Sequence, residues 1–141
     1  ITRLIDMGVQ PFLVATSIQA VLAQRLIRVN CPKCQEKYTP DTKTLLALSL
    51  RPEQHKDTQF TRGKGCDYCK GTGFRGRKGV FEMMVMNRQI RDMAFEKAPT
   101  NEVRKAAIAN GMTSLAMDGV RKVLNGMTAP DEVIRVAKVD G

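Results

Sequence analysis

Tryptophan is absent from the 141 residues, and aromatic side chains make up only 5% of them. Stacked aromatics therefore cannot be the main organiser of a core. Histidine occurs once, as His55 among Glu53, Lys56 and Asp57, where a solvated ring is the ordinary reading. No apolar run approaches the roughly 20 residues a membrane-spanning helix requires. No signal-peptide pattern is visible. Motifs of catalysis are missing too: there is no G-x4-G-K-[ST] loop, no H-E-x-x-H, no nucleophile elbow and no apolar-flanked carboxylate pair. Acids are scarce, 14 against 23 Lys and Arg, for a net charge of +9. Such a balance favours anionic partners, whether nucleic acid, phosphate-bearing ligands or acidic lipid. Catalytic residues are accordingly not expected in this chain.

Cysteine is sparse, but its placement is specific. All four cysteines fall in two C-x2-C pairs, Cys31-Pro32-Lys33-Cys34 and Cys66-Asp67-Tyr68-Cys69. A turn with two residues between cysteines aims both sulfurs at one point, and four thiolates satisfy the tetrahedral preference of Zn2+. Cys31, Cys34, Cys66 and Cys69 are thus the candidate ligands of a structural zinc ion, with no position left open for a reacting water. Three alternatives stand beside this. Disulfides suit exported proteins, and nothing here suggests export. A redox C-x2-C normally follows a strand and opens a helix, whereas Cys66-Asp67-Tyr68-Cys69 sits among glycines. Four unconnected thiols would not be expected to fall in two matched pairs.

Between and after the knuckles, Arg62, Lys64, Lys70, Arg75, Arg77 and Lys78 crowd a glycine-rich stretch with Asp67 as its single acid. An anion-binding surface and a merely solvated basic face are both open readings. A segment of nearly fifty residues, poor in aromatics and rich in glycine, cannot bury enough apolar surface to order itself. Four thiolate–metal bonds would contribute on the order of 10 kcal/mol to it.

Around this segment the periodicity predicts a helix ending at Met7 with Gly8 beyond it, a short helix starting near Phe12, and a buried strand within 21–29. Tyr38-Thr39-Pro40-Asp41 signals a helix start, with Leu45, Leu46, Leu48 and Leu50 as its apolar residues, stopped at Arg51-Pro52. Residues 60–77 read as loop and 80–86 as a second strand; pairing with 21–29 would make the cysteine segment an insertion between two strands. From Asn87 to the end the pattern is helical. Pro99, Asn110-Gly111 and Asn125-Gly126 divide it, and Thr100, Ser114 and Thr128 are candidate caps. Met83, Met84, Met86, Met93, Met112 and Met117 read mainly as core filler.

Several stretches together resemble one family: Asp6-Met7-Gly8 with Pro11-Phe12, Ala23-Gln24-Arg25-Leu26-Ile27-Arg28, both knuckles with Gly71 to Glu82, and Asn110-Gly111-Met112-Thr113-Ser114-Leu115 followed by Asp118-Gly119 and Val133. The chain is similar to the C-terminal part of the hexameric assembly ATPases of type II secretion and type IV pili. The resemblance runs collinearly through all but residues 41–60. It implies an α/β fold: the C-terminal portion of a RecA-like P-loop ATPase core (1–29 and 79–87), with an inserted tetracysteine zinc subdomain (30–78) and a C-terminal helical bundle (88–141). It implies a cytoplasmic motor, peripheral at the inner membrane, that binds ATP and Mg2+ through residues outside this chain. Its partners would be other copies of itself in a hexamer and the inner-membrane adaptor and platform proteins. The chain opens without Met and inside an apolar pattern, so a fragment of such a motor, unable to hydrolyse ATP alone, is the expectation. Gly76 and Arg77 match the family's element on the adenine side of the nucleotide site; a structural salt bridge from Arg77 to Glu82 or Asp67 is the alternative. Gln24 and Arg25 would couple that site to subunit contacts. Two rival readings remain: a zinc-ribbon nucleic-acid binder, and a chaperone-like module, since Cys66 to Gly73 matches one unit of the DnaJ-type zinc repeat.

Overall fold

A computed structural model describes residues 1–137. It is a mixed α/β structure whose described residues divide into two compact units, 1–23 with 82–114 and 24–81 with those from 115 on. The expectation that helix runs to the chain's end falls, for 138–141, outside the described residues.

The first unit is built from helices α1 (Thr2–Asp6) and α2 (Pro11–Ser17) together with α4 (Arg88–Phe95) and α5 (Thr100–Ala109). Each begins or ends where local chemistry says it should. Pro11 opens α2 at a position whose N–H would have no helical partner. The Asn87 side chain accepts from Ile90 N–H at 2.9 Å and so caps α4. Thr100 does not cap: Pro99 holds the cap position of α5, and the Thr100 hydroxyl meets that of Thr2 at 3.0 Å. Val14, Ala15 and Ala94 form one buried cluster, and Met86, Ile90, Val103 and Ala107 another. Arg91 fastens the end of α2 by donating to the carbonyls of Ala15 (2.6 Å) and Ile18 (3.3 Å), which no helical N–H would otherwise reach. Met84, Met93 and Met112 pack against the second cluster as expected, whereas Met83 and, in the other unit, Met117 are exposed.

Strands β1 (Ala20–Asn30) and β4 (Phe74–Val85) pair in a two-stranded sheet. The cysteine segment therefore leaves one strand of that sheet and returns in the other. The expected burial of β1 does not hold: Ile27 and Asn30 are buried, but Leu22 and Leu26 are exposed. A sheet of two strands gives each side chain too few neighbours to cover both faces.

In the second unit β2 (Gln35–Tyr38) pairs antiparallel with β3 (Phe60–Gly63), in the register Gln35↔Gly63 to Tyr38↔Phe60. The reading of 60–77 as loop holds for 64–73 but not for its ends, where 60–63 form β3 and 74–77 already belong to β4. The strand pair is fixed by a cross-strand contact, the rings of Tyr38 and Phe60 meeting edge to face at 6.2 Å. Helix α3 (Thr42–Ala47) follows β2, capped by Asp41, whose carboxylate accepts from Thr44 N–H at 2.7 Å. Leu45 and Leu48 turn inward and Leu46 outward. A 3-10 turn over Pro52–Gln54 ends this stretch.

Helices α6 (Leu115–Leu124) and α7 (Pro130–Ala137) complete the unit, and Leu45, Leu48, Phe60, Val123 and Val133 form its buried core. The cysteine segment is thus less core-poor than its composition implies, because it borrows the apolar faces of α6 and α7. Thr128, expected to cap α7, is instead fully buried and donates its hydroxyl to the carbonyl of Arg28 at 2.7 Å.

Candidate metal centre

Strand ends deliver the four cysteines. Cys31 follows β1 directly and Cys34 precedes β2; Cys66 follows β3 after a short turn, and Cys69 lies before β4. The register of β2 with β3 puts the two knuckles side by side, with Lys64 N–H donating to the carbonyl of Cys34 at 3.0 Å. A second link closes the other edge, where Cys31 N–H donates to the carbonyl of Gly73 at 2.9 Å. That arrangement leaves no room for side chains: a Cβ on Gly63 would collide with the Gly73 carbonyl, and one on Gly73, at φ +78, would sit 2.5 Å from the Gly63 oxygen. Glycine is required at both positions by close backbone approach.

The sulfurs of Cys31 and Cys66, and of Cys34 and Cys69, lie 3.8 Å apart, and those of Cys66 and Cys69 3.7 Å. All four fall within 4.8 Å of one another. A tetrahedron with metal–sulfur bonds of about 2.3 Å has edges of about 3.8 Å, so the cage matches that geometry. A disulfide needs about 2.05 Å, and all four cysteines are free. Among the described residues no His, Asp or Glu joins the group. His55 instead faces the Thr58 hydroxyl at 3.1 Å.

Electrostatics of the cage point the same way. At Cys34, burial and the neighbouring thiols outweigh the N–H of Gly65 (3.3 Å) and push the pKa up to about 12. At Cys69 burial also raises the pKa, but the N–H groups of Cys66 (3.1 Å) and Gly73 (3.2 Å) prevail and bring it down to about 6. Clustered thiols that cannot all ionise together are what a cation resolves: by replacing the protons it lets four negative sulfurs coexist. The donor set and spacing therefore fit a tetrahedral metal ion, and the four cysteines could hold one.

The basic stretch is partly neutralised within the fold. Arg62 and Lys64 both pair with Glu36, at 3.1 and 3.3 Å. Tyr68, 40% exposed, has the Lys33 ammonium 4.0 Å and the Arg75 guanidinium 4.5 Å from its ring centre. Gly76 and Arg77 lie in β4, both exposed and outside the cysteine cage, with Gly76 at φ +86. Glu82, one of the alternative partners for Arg77, pairs with Arg104 at 3.3 Å. Gln24 and Arg25 are exposed on β1.

Sequence reasoning missed Glu132. It is 2% exposed, yet its carboxylate accepts from Arg28 N–H at 2.7 Å, from the Arg28 guanidinium at 3.1 and 3.0 Å, and from Arg135 at 3.1 Å. Burial pushes its pKa up, but the Arg28 amide, the two guanidinium groups and their charge prevail, leaving the carboxyl below its ordinary value. A signal existed: Glu132 shares a helix face with Val136, so a charge interrupts the apolar stripe of α7. Asn30 was missed as well. It is buried, and its amide donates to the carbonyls of Thr61 and Gly126 at 2.9 and 3.1 Å.

The chain matches the model of one protein family, "Type II/IV secretion system protein", over residues 1–135. It is 40% identical over 138 residues to type II secretion system protein E of Pseudomonas aeruginosa, covering 98% of this chain and 27% of that protein. It is 37% identical over 134 residues to the type IV pilus assembly ATPase PilB of Thermus thermophilus, covering 95% and 15%. A third relative, the type IV pilus assembly ATPase TfpB of Acinetobacter baylyi, is 38% identical over 136 residues, covering 96% and 23%. The chain thus spans at most about a quarter of the length of these relatives.

Proposed function

Because the chain belongs to the type II/IV secretion system protein family, we propose that it is the C-terminal region of a hexameric cytoplasmic ATPase, peripheral at the inner membrane, that powers type II protein secretion or type IV pilus assembly. The observation that carries this reading is the family match over residues 1–135, beside relatives named as pilus assembly ATPases. In this reading residues 1–29 and 79–87 contribute to a RecA-like core, and 88–141 to a C-terminal helical region. ATP and Mg2+ are bound by parts of the longer protein outside this chain, and no residue here performs the hydrolysis. Gly76 and Arg77 lie beside the nucleotide, where a guanidinium can stack on the base.

Cys31, Cys34, Cys66 and Cys69 hold Zn2+ in a structural role. When bound, the ion supplies a cross-link between the two knuckles and no chemistry of its own, since four thiolates complete its shell. The surface so stiffened, residues 30–78 with the exposed Tyr68 and its two cations, serves contacts with a neighbouring subunit or the membrane-anchored adaptor. The nucleic-acid alternative has less support, because the aromatic face a base would stack on is already met by Lys33 and Arg75.

The test uses the full-length protein. Purified without chelator, it is expected to carry stoichiometric zinc by mass spectrometry, to shield its four thiols from titration until the metal is stripped, and to hydrolyse ATP with Mg2+. Arg77→Ala is expected to raise the KM for ATP several-fold. A zinc-free preparation with freely titrating thiols sinks the metal assignment; a protein inert towards ATP sinks the motor.

A further inference from the structure

Glu132 presents a physical problem that its place in the first turn of α7 does not solve. Asp131 beside it is exposed and supplies the negative charge favoured at a helix start. Glu132 is buried, and a buried carboxylate is costly unless its partners are held to it. Those partners lead in one direction. Its two oxygens take the backbone and side chain of Arg28, three residues before the first cysteine. The same guanidinium stands 4.2 Å from the ring centre of Phe74. Phe74 follows Gly73, whose carbonyl accepts from Cys31 N–H at 2.9 Å and whose own N–H donates to the Cys69 sulfur at 3.2 Å. One carboxylate thus grips, through one guanidinium, both strands that border the cysteine segment. Thr128 adds a second tie from just ahead of α7, to the carbonyl of the same Arg28.

We propose that Glu132, acting through Arg28 and Phe74, is a positioning residue of the metal centre: it sets Gly73, and Gly73 sets the sulfurs of Cys31 and Cys69. Three features of the geometry support this. Cys31 and Cys69 are the two buried cysteines, whereas Cys34 and Cys66 are half-buried and reach Gly73 by no direct link. Gly73 has no slack, since its carbonyl is pressed against the backbone of Gly63. The Arg28 fork is engaged on its edge by the carboxylate and on its plane by the ring, so guanidinium and carboxylate orient each other. Metal retention therefore depends on a helix that contributes no ligand. The inference rests on the assignment of Zn2+ to the four cysteines, and its test separates the two.

The full chain is loaded with zinc, and the rate of transfer to a chromogenic chelator is followed; the metal-free chain is then alkylated with N-ethylmaleimide and each cysteine read by mass spectrometry. Glu132→Gln keeps the size and loses the charge. It is expected to speed zinc transfer by about tenfold, the scale of an outer-shell partner, and to raise alkylation of Cys31 and Cys69 more than that of Cys34 and Cys66. Arg28→Lys, which keeps the charge and loses the fork, should do the same. Glu36→Gln removes a carboxylate that grips Arg62 and Lys64 instead, and should leave both readouts unchanged. Wild-type behaviour of Glu132→Gln, or an equal rise at all four cysteines, overturns the proposal; should that variant not fold, Phe74→Leu carries the same expectations. A wild-type chain that takes up no zinc defeats the metal assignment instead, and the alkylation pattern then decides the relay without it.

Discussion

The helical unit and the cysteine-bearing unit reach order by different means. In the first, Ile90 and Ala94, and Val103 and Ala107, recur at helical spacing and are buried in its two apolar clusters, so apolar periodicity carries the structure. In the second, the stretch from Thr61 to Gly79 buries only Cys69 and Gly73. Its shape rests on sulfur contacts, N–H groups donating to sulfur, and backbone passing against backbone. The difference teaches that a segment poor in apolar side chains can still be fixed tightly when its polar backbone is spent on a single centre. It also implies that the two units should fail under different insults.

The sharpest break in that contrast comes from removing a ligand. Cys66→Ser, or stripping the metal, is expected to remove on the order of 10 kcal/mol of local stabilisation. Hydrogen exchange should then show loss of protection over 31–34 and 64–73, with α4 and α5 protected as before. Unchanged protection at the knuckles would mean the thiols are not what orders them. Next in size is Gly73→Ala, which meets both a positive φ and the Gly63 carbonyl. It should cost about 4 kcal/mol and, unlike a core truncation, should also weaken zinc retention. Ile90→Ala tests the other side: a fully buried branched side chain lost from the first unit should cost about 3 kcal/mol in denaturant unfolding. Zinc content should not change, and if it does, the two units are not as independent in stability as their separate cores imply. The smallest effect is expected of Asn87→Ala, which removes the cap of α4 and about 1 kcal/mol, read as a lowered Tm with both cores intact.

Much of the helical architecture was legible because its signals are local. Pro11, Asp41 and Asn87 mark helix starts, and Asn110-Gly111 ends one, by rules that need only neighbours in the chain. The pairing of β2 with β3 was not legible. Its strands are four residues each, lie amid glycines and charges, and show no clean alternation, so the register is set by the meeting of Tyr38 with Phe60 across the pair. Burial in β1 was misjudged for a related reason. An aliphatic run such as Val21-Leu22 to Leu26-Ile27 signals a strand, but how many strands will cover it is a property of the sheet. Thr128 was read as a cap from its spacing to Asp131, and the carbonyl of Arg28 took its hydroxyl instead.

The amino-acid order alone determined the pairing of four thiols into two matched turns and the family the chain belongs to, because both are written in residue identity and spacing. Tertiary structure alone decided which N–H groups reach which sulfur, and that Glu132 rather than a neighbouring acid is buried against Arg28. It also decided that α6 and α7, far along the chain, supply the apolar cover for Leu45 and Phe60. The physical reason is range: spacing fixes what a turn or a helix face can present, whereas a charge, a carbonyl or an apolar face acquires its partner only when distant segments meet.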